Sequence, residues 1–275
     1  MPRIHHYELP LDTSLFSATQ LLPRALLSLS MRGWAGWVRE HLVSFSSMVR
    51  DYKTSVVVLG ANLDFVEPFR FIDAEQMSVA FRVSARKGGA FVAAESEFTA
   101  GERVVARVQF LMKPVLMSDT ESFSAVPGNL PDSLLSKFQS DEVSDSIPER
   151  LVAKHQAATE SAGRLVGKAS HPIVFYRHHC EVAEQWSYIE VPSHAAGARE
   201  SMALAQSAER PEMRAALSRP LKAVYLELKR PFYLFDRGAI ETSAYEVEGG
   251  MAFVHEIRSE IGGRGVHGTV FELLQ

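Results

Sequence analysis

Cys180 is the only cysteine in the 275 residues, so no internal disulfide can form and a disulfide-stapled scaffold is excluded. Long apolar runs are also missing: none approaches the roughly 18 residues that a membrane-crossing helix needs. The opening residues, Met1 to Glu8, lack the apolar stretch of a secretory signal, and with the unpaired thiol this predicts a cytoplasmic protein with no membrane partner. Positive charge is not in excess either. A formal net charge of -4 offers no surplus to neutralise a phosphate backbone, which argues against a nucleic-acid partner. What the chain does have is apolar content, 46% hydrophobic against 23% charged, the composition of a well-cored globular protein.

The strongest signal is an internal repeat. Leu63-Asp-Phe-Val-Glu-Pro68-Phe69-Arg-Phe-Ile-Asp73 matches Leu226-Glu-Leu-Lys-Arg-Pro231-Phe232-Tyr-Leu-Phe-Asp236 without a gap, at an offset of 231 minus 68, or 163 residues. Downstream, Phe81-Arg-Val83 recurs as Tyr245-Glu-Val247, Gly88-Gly89 as Gly249-Gly250, Phe91-Val92 as Phe253-Val254 and Ser96-Glu-Phe98 as Ser259-Glu-Ile261. Upstream, Ile4 to Leu9 resembles Arg177 to Val182, which predicts that each copy opens with a similar strand.

Each copy has the same coarse plan. Met77, Val79, Phe81 and Val83 alternate with polar or small residues, the period-two pattern of a strand with one buried face. Arg86-Lys87-Gly88-Gly89 then reads as a hairpin turn, since paired glycines supply positive φ, and Ala100-Gly101 marks a second turn. Beyond it, Val104, Ala106, Val108, Phe110 and Met112 are predicted to share one face of a further strand. Before this meander, Leu22, Ala25, Leu26 and Leu29 recur at helical spacing and Val38, Leu42 and Phe45 continue the stripe, predicting one long helix with room for a kink at Gly33 and Gly36. In the second copy Ala195 to Ala208 takes that place, extended or broken at Pro211. Ser146 followed by Pro148 and Glu149 predicts a capped crossover helix over 147–162, stopped by Gly163. Gly262-Gly263-Arg264-Gly265 reads as a turn before a last strand, not as a phosphate loop, because no helix follows.

Strand, long helix, then three or four antiparallel strands is the layout of a hotdog unit. The expected fold class is α+β, two tandem hotdog units, each an antiparallel sheet wrapped around a long helix, forming an intrachain pseudo-dimer. The first unit would occupy 1–117, a linker with the crossover helix 118–172, and the second unit 173–275.

The first copy resembles thioesterases of the 4-hydroxybenzoyl-CoA thioesterase superfamily, especially those of polyketide pathways. The likeness is carried by Asp12-Thr13-Ser14-Leu15, by Trp34-Ala35-Gly36-Trp37-Val38-Arg39-Glu40 and by the Pro68-Phe69 segment, over roughly residues 4 to 115. It implies hydrolysis of an acyl thioester on acyl-CoA or acyl carrier protein, with no cofactor beyond the carrier itself, in a monomer or homodimer. It also implies that the catalytic carboxylate or amide position of the first copy falls on Ser14, and a hydroxyl is no general base at neutral pH without help. In the second copy, Glu190-Val-Pro-Ser-His194 has the spacing of the superfamily's Asp-x-x-Gly-His element, so Glu190 and His194 are the main catalytic candidates, with Ser14 and Asp12 behind them. Arg39, Gly197, Arg86 and Lys87 are the candidate substrate contacts.

Plainer readings stand beside each of these. Glu190 would equally cap the following helix or sit solvated at a strand end, and His194 would hydrogen-bond to backbone or water. Asp12 and Ser14 are ordinary cap residues, and Arg86-Lys87 is an ordinary solvated turn. His178, His179, Cys180 and Glu181 are ligand types, but neighbours on a strand point oppositely and no second ligand pair is visible, so no metal is expected. Two other functions stay open: a non-hydrolytic hotdog enzyme (a dehydratase or an acyltransferase/decarboxylase), and a catalytically silent acyl-carrier-binding module.

Overall fold

The computed structural model describes residues 2–119, 123–260 and 265–275. The first unit runs β1 (His5–Pro10), α1 (Pro23–His41), α2 (Phe45–Arg50), β2 (Thr54–Phe65), β3 (Gln76–Arg86), β4 (Phe91–Ala100), β5 (Arg103–Asp119) and a short β6 (Ser124–Pro127). A connecting segment carries α3 (Asp132–Leu135), β7 (Val143–Ser144) and α4 (Leu151–Ala162). The second unit runs β8 (Arg164–Val174), α5 (Val191–Ala205), α6 (Pro211–Ala216), β9 (Leu221–Leu228), β10 (Arg237–Val247), β11 (Gly250–Ser259) and β12 (Val266–Leu274).

All of these strands join one sheet, whose main path is β1-β3-β4-β5-β2-β9-β12-β11-β10-β8. Read outward from the β2–β9 junction, the two halves have the same order: β2, β5, β4, β3, β1 on one side and β9, β12, β11, β10, β8 on the other. A pseudo-twofold therefore passes through the antiparallel seam, where Ala61 faces Leu226 and Leu63 faces Val224. Each half wraps a long helix, so the molecule is a double hotdog.

The alternation read from sequence is what seats α1. Met77, Val79, Phe81, Val83 and Ala85 on β3 are at most 3% exposed, and they face Leu26, Leu27, Trp37 and Val38 of the helix. The helix runs unbroken through Gly33 and Gly36, where a kink had room to form. The glycines serve close approach instead. A Cβ on Gly33 would lie 2.8 Å from Cγ of the buried Phe81, and one on Gly36 would clash with the Nε2 edge of the His5 ring. The two hairpin turns lie where expected, with positive φ at Lys87, Gly88 and Gly89 and again at Gly101.

Four expectations need correction. First, the opening strand of the second copy is β8, which pairs with β10 as β1 pairs with β3, whereas Arg177–His179 is a single 3-10 turn. His178 and His179 therefore lie in that turn and not on a strand. Pro172 sits on β8 without loss because this is an edge strand, where a missing N–H breaks no ladder bond. Second, a register shift opposite Phe98 and Thr99 turns Val105 inward at 1% exposure, in place of Val104. Third, α4 begins at Leu151, because Ser146 Oγ is engaged by Ser144 and by Arg86 and caps no helix. It still ends at Gly163, and it covers the outer face of the second unit through Val152 and through His155 against Tyr225 and Phe271. Fourth, the second helix ends at Ala205 and a separate short helix starts at Pro211. Ile261 and most of the predicted Gly262–Gly265 turn lie outside the described residues.

Gly33→Ala should lower stability by about 1–3 kcal/mol through overpacking against Phe81, despite the roughly 1 kcal/mol by which alanine favours a helix. The urea midpoint measures it, and an unchanged or raised midpoint would contradict this packing.

Candidate active site

The chain between β8 and α5 builds the wall between the units. Phe175 is fully buried and stacks on Phe232 at 4.5 Å, and Trp186 lies 5.0 Å from the same ring. The backbone is pinned by Trp186 N–H to the Phe232 carbonyl at 2.8 Å and by Ser187 N–H to the His179 carbonyl at 2.9 Å. A short turn, Tyr188–Glu190, then leads into α5, whose first turn accepts Pro192 because no intrahelical N–H bond is needed there.

Glu190 precedes α5 but makes no side-chain cap bond. Its carboxylate turns across to the other unit, where Arg24 Nε of α1 donates to Oε1 at 2.8 Å and to Oε2 at 3.0 Å. The carboxylate thus lies by the starts of both central helices, where their dipoles favour negative charge. Arg24 is the partner that sequence reading missed; its only signal is a cation in a helix's first turn, where the dipole disfavours one.

His194 lies one turn further along α5. Its ring contacts Phe175 at 5.5 Å and His179 at 4.6 Å, and Nε2 has no hydrogen-bond partner among the described residues. Burial first, then the neighbouring His179, His171 and His178, push its pKa down to about 4, so the imidazole is neutral at pH 7. His179 is lowered by burial and by His178, while the Glu190 carboxylate acts in the opposite direction. Cys180 is a free thiol whose pKa burial raises, which does not favour a nucleophile. Among the described residues no group of three or more His, Cys, Asp and Glu could hold a metal ion.

Beside this segment lies an apolar cavity of about 440 Å³. Met31 and Trp34 of α1, Phe45 and Val49 of α2, Val56 and Val58 of β2 and Met112 of β5 form its first-unit side. Trp186 and Tyr188 close it from the second unit, with Glu181, Lys229 and Arg230 also in the lining. Crowding by the protein pushes the Glu181 carboxyl up, although the residue as a whole keeps an exposed face.

The other predicted site residues are dispersed. Asp12 caps a 3-10 turn, accepting from Ser14 N at 2.8 Å and Ser14 Oγ at 2.5 Å, and both are exposed. Arg39 is exposed in the last turn of α1. Arg86 donates to Ser146 Oγ at 3.3 Å in a separate polar cleft with Asn62, Glu95 and Gln109, and Lys87 is exposed at the hairpin tip. Gly197 sits on α5 with open space where a Cβ would go. Of the eight predicted residues, His194 and Gly197 lie on α5 with Glu190 immediately ahead of it, and Asp12 and Ser14 share a turn elsewhere.

A second charged cluster was not foreseen. Arg199 of α5 bonds Glu272 of β12 at 2.5 Å, His255 Nε2 lies 3.2 Å from the same carboxylate oxygen, and His255 Nδ1 meets Thr242 Oγ1 at 2.9 Å. Burial alone would raise the Glu272 carboxyl, but Arg199 and His255 hold it at about 2. Its residues are scattered in sequence and meet only when β10, β11 and β12 pair.

No known family profile matches the chain, and no curated protein does. Solved structures share its fold over nearly the full length. A Lactobacillus plantarum protein provisionally assigned as an oleoyl thioesterase is 11% identical with a TM-score of 0.76, covering 100% of this chain and 96% of that one. An acyl-ACP thioesterase from Bacteroides thetaiotaomicron is 10% identical with a TM-score of 0.69, over 99% and 98%. The 12:0-ACP thioesterase from Umbellularia californica is 8% identical with a TM-score of 0.70, over 99% and 94%. At such identities the likeness establishes the double hotdog fold. Among the described residues no helix is long and apolar enough to cross a membrane.

The depressed His194 pKa has a consequence for stability. The unfolded chain takes up this proton near the ordinary histidine value and the folded chain only near pH 4, so within that window acid favours unfolding. The stability is fully present above the unfolded value and is lost as the pH falls towards 4. Thermal midpoints from about pH 7 to about pH 4 should drop more in the wild type than in His194→Gln; parallel curves would contradict the buried neutral imidazole.

Proposed function

We propose that the chain is an acyl thioester hydrolase acting on acyl groups carried by CoA or an acyl carrier protein, in fatty-acid- or polyketide-type biosynthesis. The observation that carries this reading is the apolar cavity walled by both units, adjoining the segment that presents Glu190 at the start of α5. The acyl chain occupies the cavity. Glu190, fixed by Arg24, takes a proton from water as the water oxygen attacks the thioester carbonyl. N–H groups at the start of α5 and neutral His194 steady the developing oxyanion. The C–S bond then breaks, and the proton held by Glu190 goes to the leaving thiolate. Gly197 leaves room for the pantetheine arm beside the helix. Asp12 and Ser14 are assigned to the turn they cap. The motif likeness to the 4-hydroxybenzoyl-CoA superfamily supports the hydrolase reading without naming the acyl group.

One observation favours a second assignment of the base: Glu181, and not Glu190, lines the cavity itself. Release of free thiol from a panel of acyl-CoA and acyl-carrier substrates distinguishes the two. Glu190→Gln should lose about 100-fold or more in kcat, while Glu181→Gln should lose far less. The reverse pattern would transfer the role to Glu181. Binding without turnover by the wild type would leave the silent carrier-binding module, and water loss detected by mass spectrometry would indicate a dehydratase.

A further inference from the structure

Lys229 and Arg230 line the apolar cavity, both are exposed, and neither side chain has an ion pair or hydrogen bond among the described residues. With Val182, 76% exposed and in the same lining, they mark where the cavity opens to water. Glu181 is the one acid among the lining residues, so two cations face one carboxyl at this rim. The internal repeat supplies the contrast. At the offset of 163, Lys229 and Arg230 fall on Val66 and Glu67, and Glu67 is paired with Arg103 at 3.0 Å. The first unit neutralises the charge at this turn, whereas the second leaves two cations uncompensated beside a cavity.

The backbone of the pair is held in place. Both N–H groups donate to the His267 carbonyl, at 2.8 Å from Lys229 and 3.2 Å from Arg230, and Phe232, two residues on, is fully buried against Phe175. The charged heads stay in water, so a ligand seated in the cavity meets them with the part of it that emerges. An apolar cavity rimmed by free cations suits an amphiphile, with a chain inside and an anion at the opening. Phosphate fits both cations, since arginine presents a planar fork of donors and lysine a point charge.

We infer that Lys229 and Arg230 form an anion subsite for the phosphate of the pantetheine arm that carries the acyl group. The inference rests on the thioester reading, which puts the acyl chain in the cavity. Gly197 concerns the sulfur end of that arm, and these two residues its phosphate end. The phosphate is common to CoA and to an acyl carrier protein, so the subsite reads the arm itself.

Thioethers, which cannot be hydrolysed, test this independently of turnover. S-decyl-pantetheine and S-decyl-phosphopantetheine are titrated against the full chain by calorimetry. The phosphorylated ligand should bind about tenfold more tightly at low salt, the effect of roughly one charge-assisted hydrogen bond, and the advantage should shrink as salt is added. Lys229→Ala combined with Arg230→Ala should erase the ratio while leaving the affinity for S-decyl-pantetheine unchanged, and Lys229→Arg should retain it. A ratio near one in the wild type, or a ratio unmoved in the double variant, would overturn the inference. S-decyl-CoA and an S-decylated acyl carrier protein are titrated in parallel. Affinity lost in the double variant for one of them alone names the source of the phosphate, and affinity lost for neither overturns the subsite. Hydrolysis of the decanoyl thioesters is scored separately. Phosphate-dependent binding without turnover removes the hydrolase reading and keeps this one, and turnover without phosphate dependence does the opposite.

Discussion

The β2–β9 seam pairs Gly60 with Glu227 at one end and Asp64 with Ala223 at the other, and through it two five-strand halves become one sheet with one interior. The main hydrophobic cluster runs across the seam without interruption, from Trp37 and Phe81 in the first unit through Leu63 and Leu226 to Phe175 and Phe232 in the second. Local sequence is fitted to this contact. A Cβ on Gly60 would lie 2.8 Å from the Leu226 carbonyl, so the strand approach at this point of the seam requires glycine. On the outer face, the Tyr225 hydroxyl donates to Asp64 at 2.7 Å and spans the same junction. Neither half could expose its seam strand to water without leaving a row of unpaired backbone groups and an apolar face uncovered.

From that constraint the candidate site follows. Joining the halves brings the N-termini of α1 and α5 near each other, so Arg24 reaches Glu190 across the unit boundary. It also lays the aromatic segment around Trp186 and Tyr188 over the open end of the first unit, and the cavity forms between them. The two units are unequal there. Gln20, buried ahead of α1, bonds both backbone groups of Leu221 in the second unit and ties that region down. The interior of the second unit carries the Arg199–Glu272–His255 cluster, whereas the buried bond between helix and sheet in the first unit, Ser30 to Ser96, is neutral.

Much of the architecture was legible in the residues. The Pro68 and Pro231 segments, the alternation in β3 and the glycine turns fixed the repeat and the meander, because strand periodicity and positive φ are local properties. The leading strand of the second copy was misplaced: the His-His pairs at 5–6 and 178–179 look alike, while β8 carries a proline and two short polar stretches that read as linker. Sheet-edge position decides that strand, and a sequence does not print it. The site was half legible. Glu190 and His194 stood out by spacing, but Arg24 depends on a pairing 166 residues away, and the Glu272 cluster on a buried contact 73 residues apart. Asp12 and Ser14 resemble a motif, and in the fold they are bonded to each other within one exposed turn.

The main core runs through the seam and so belongs to both units. Native-state hydrogen exchange on the backbone amides of β2 and β9 tests it most directly. The account predicts that protected amides on both strands exchange together, only through global unfolding, with the same free energy as the slowest amides in β4 and β11. Seam amides that exchange through a lower-energy opening, with the two units unfolding at separate denaturant concentrations, would contradict it.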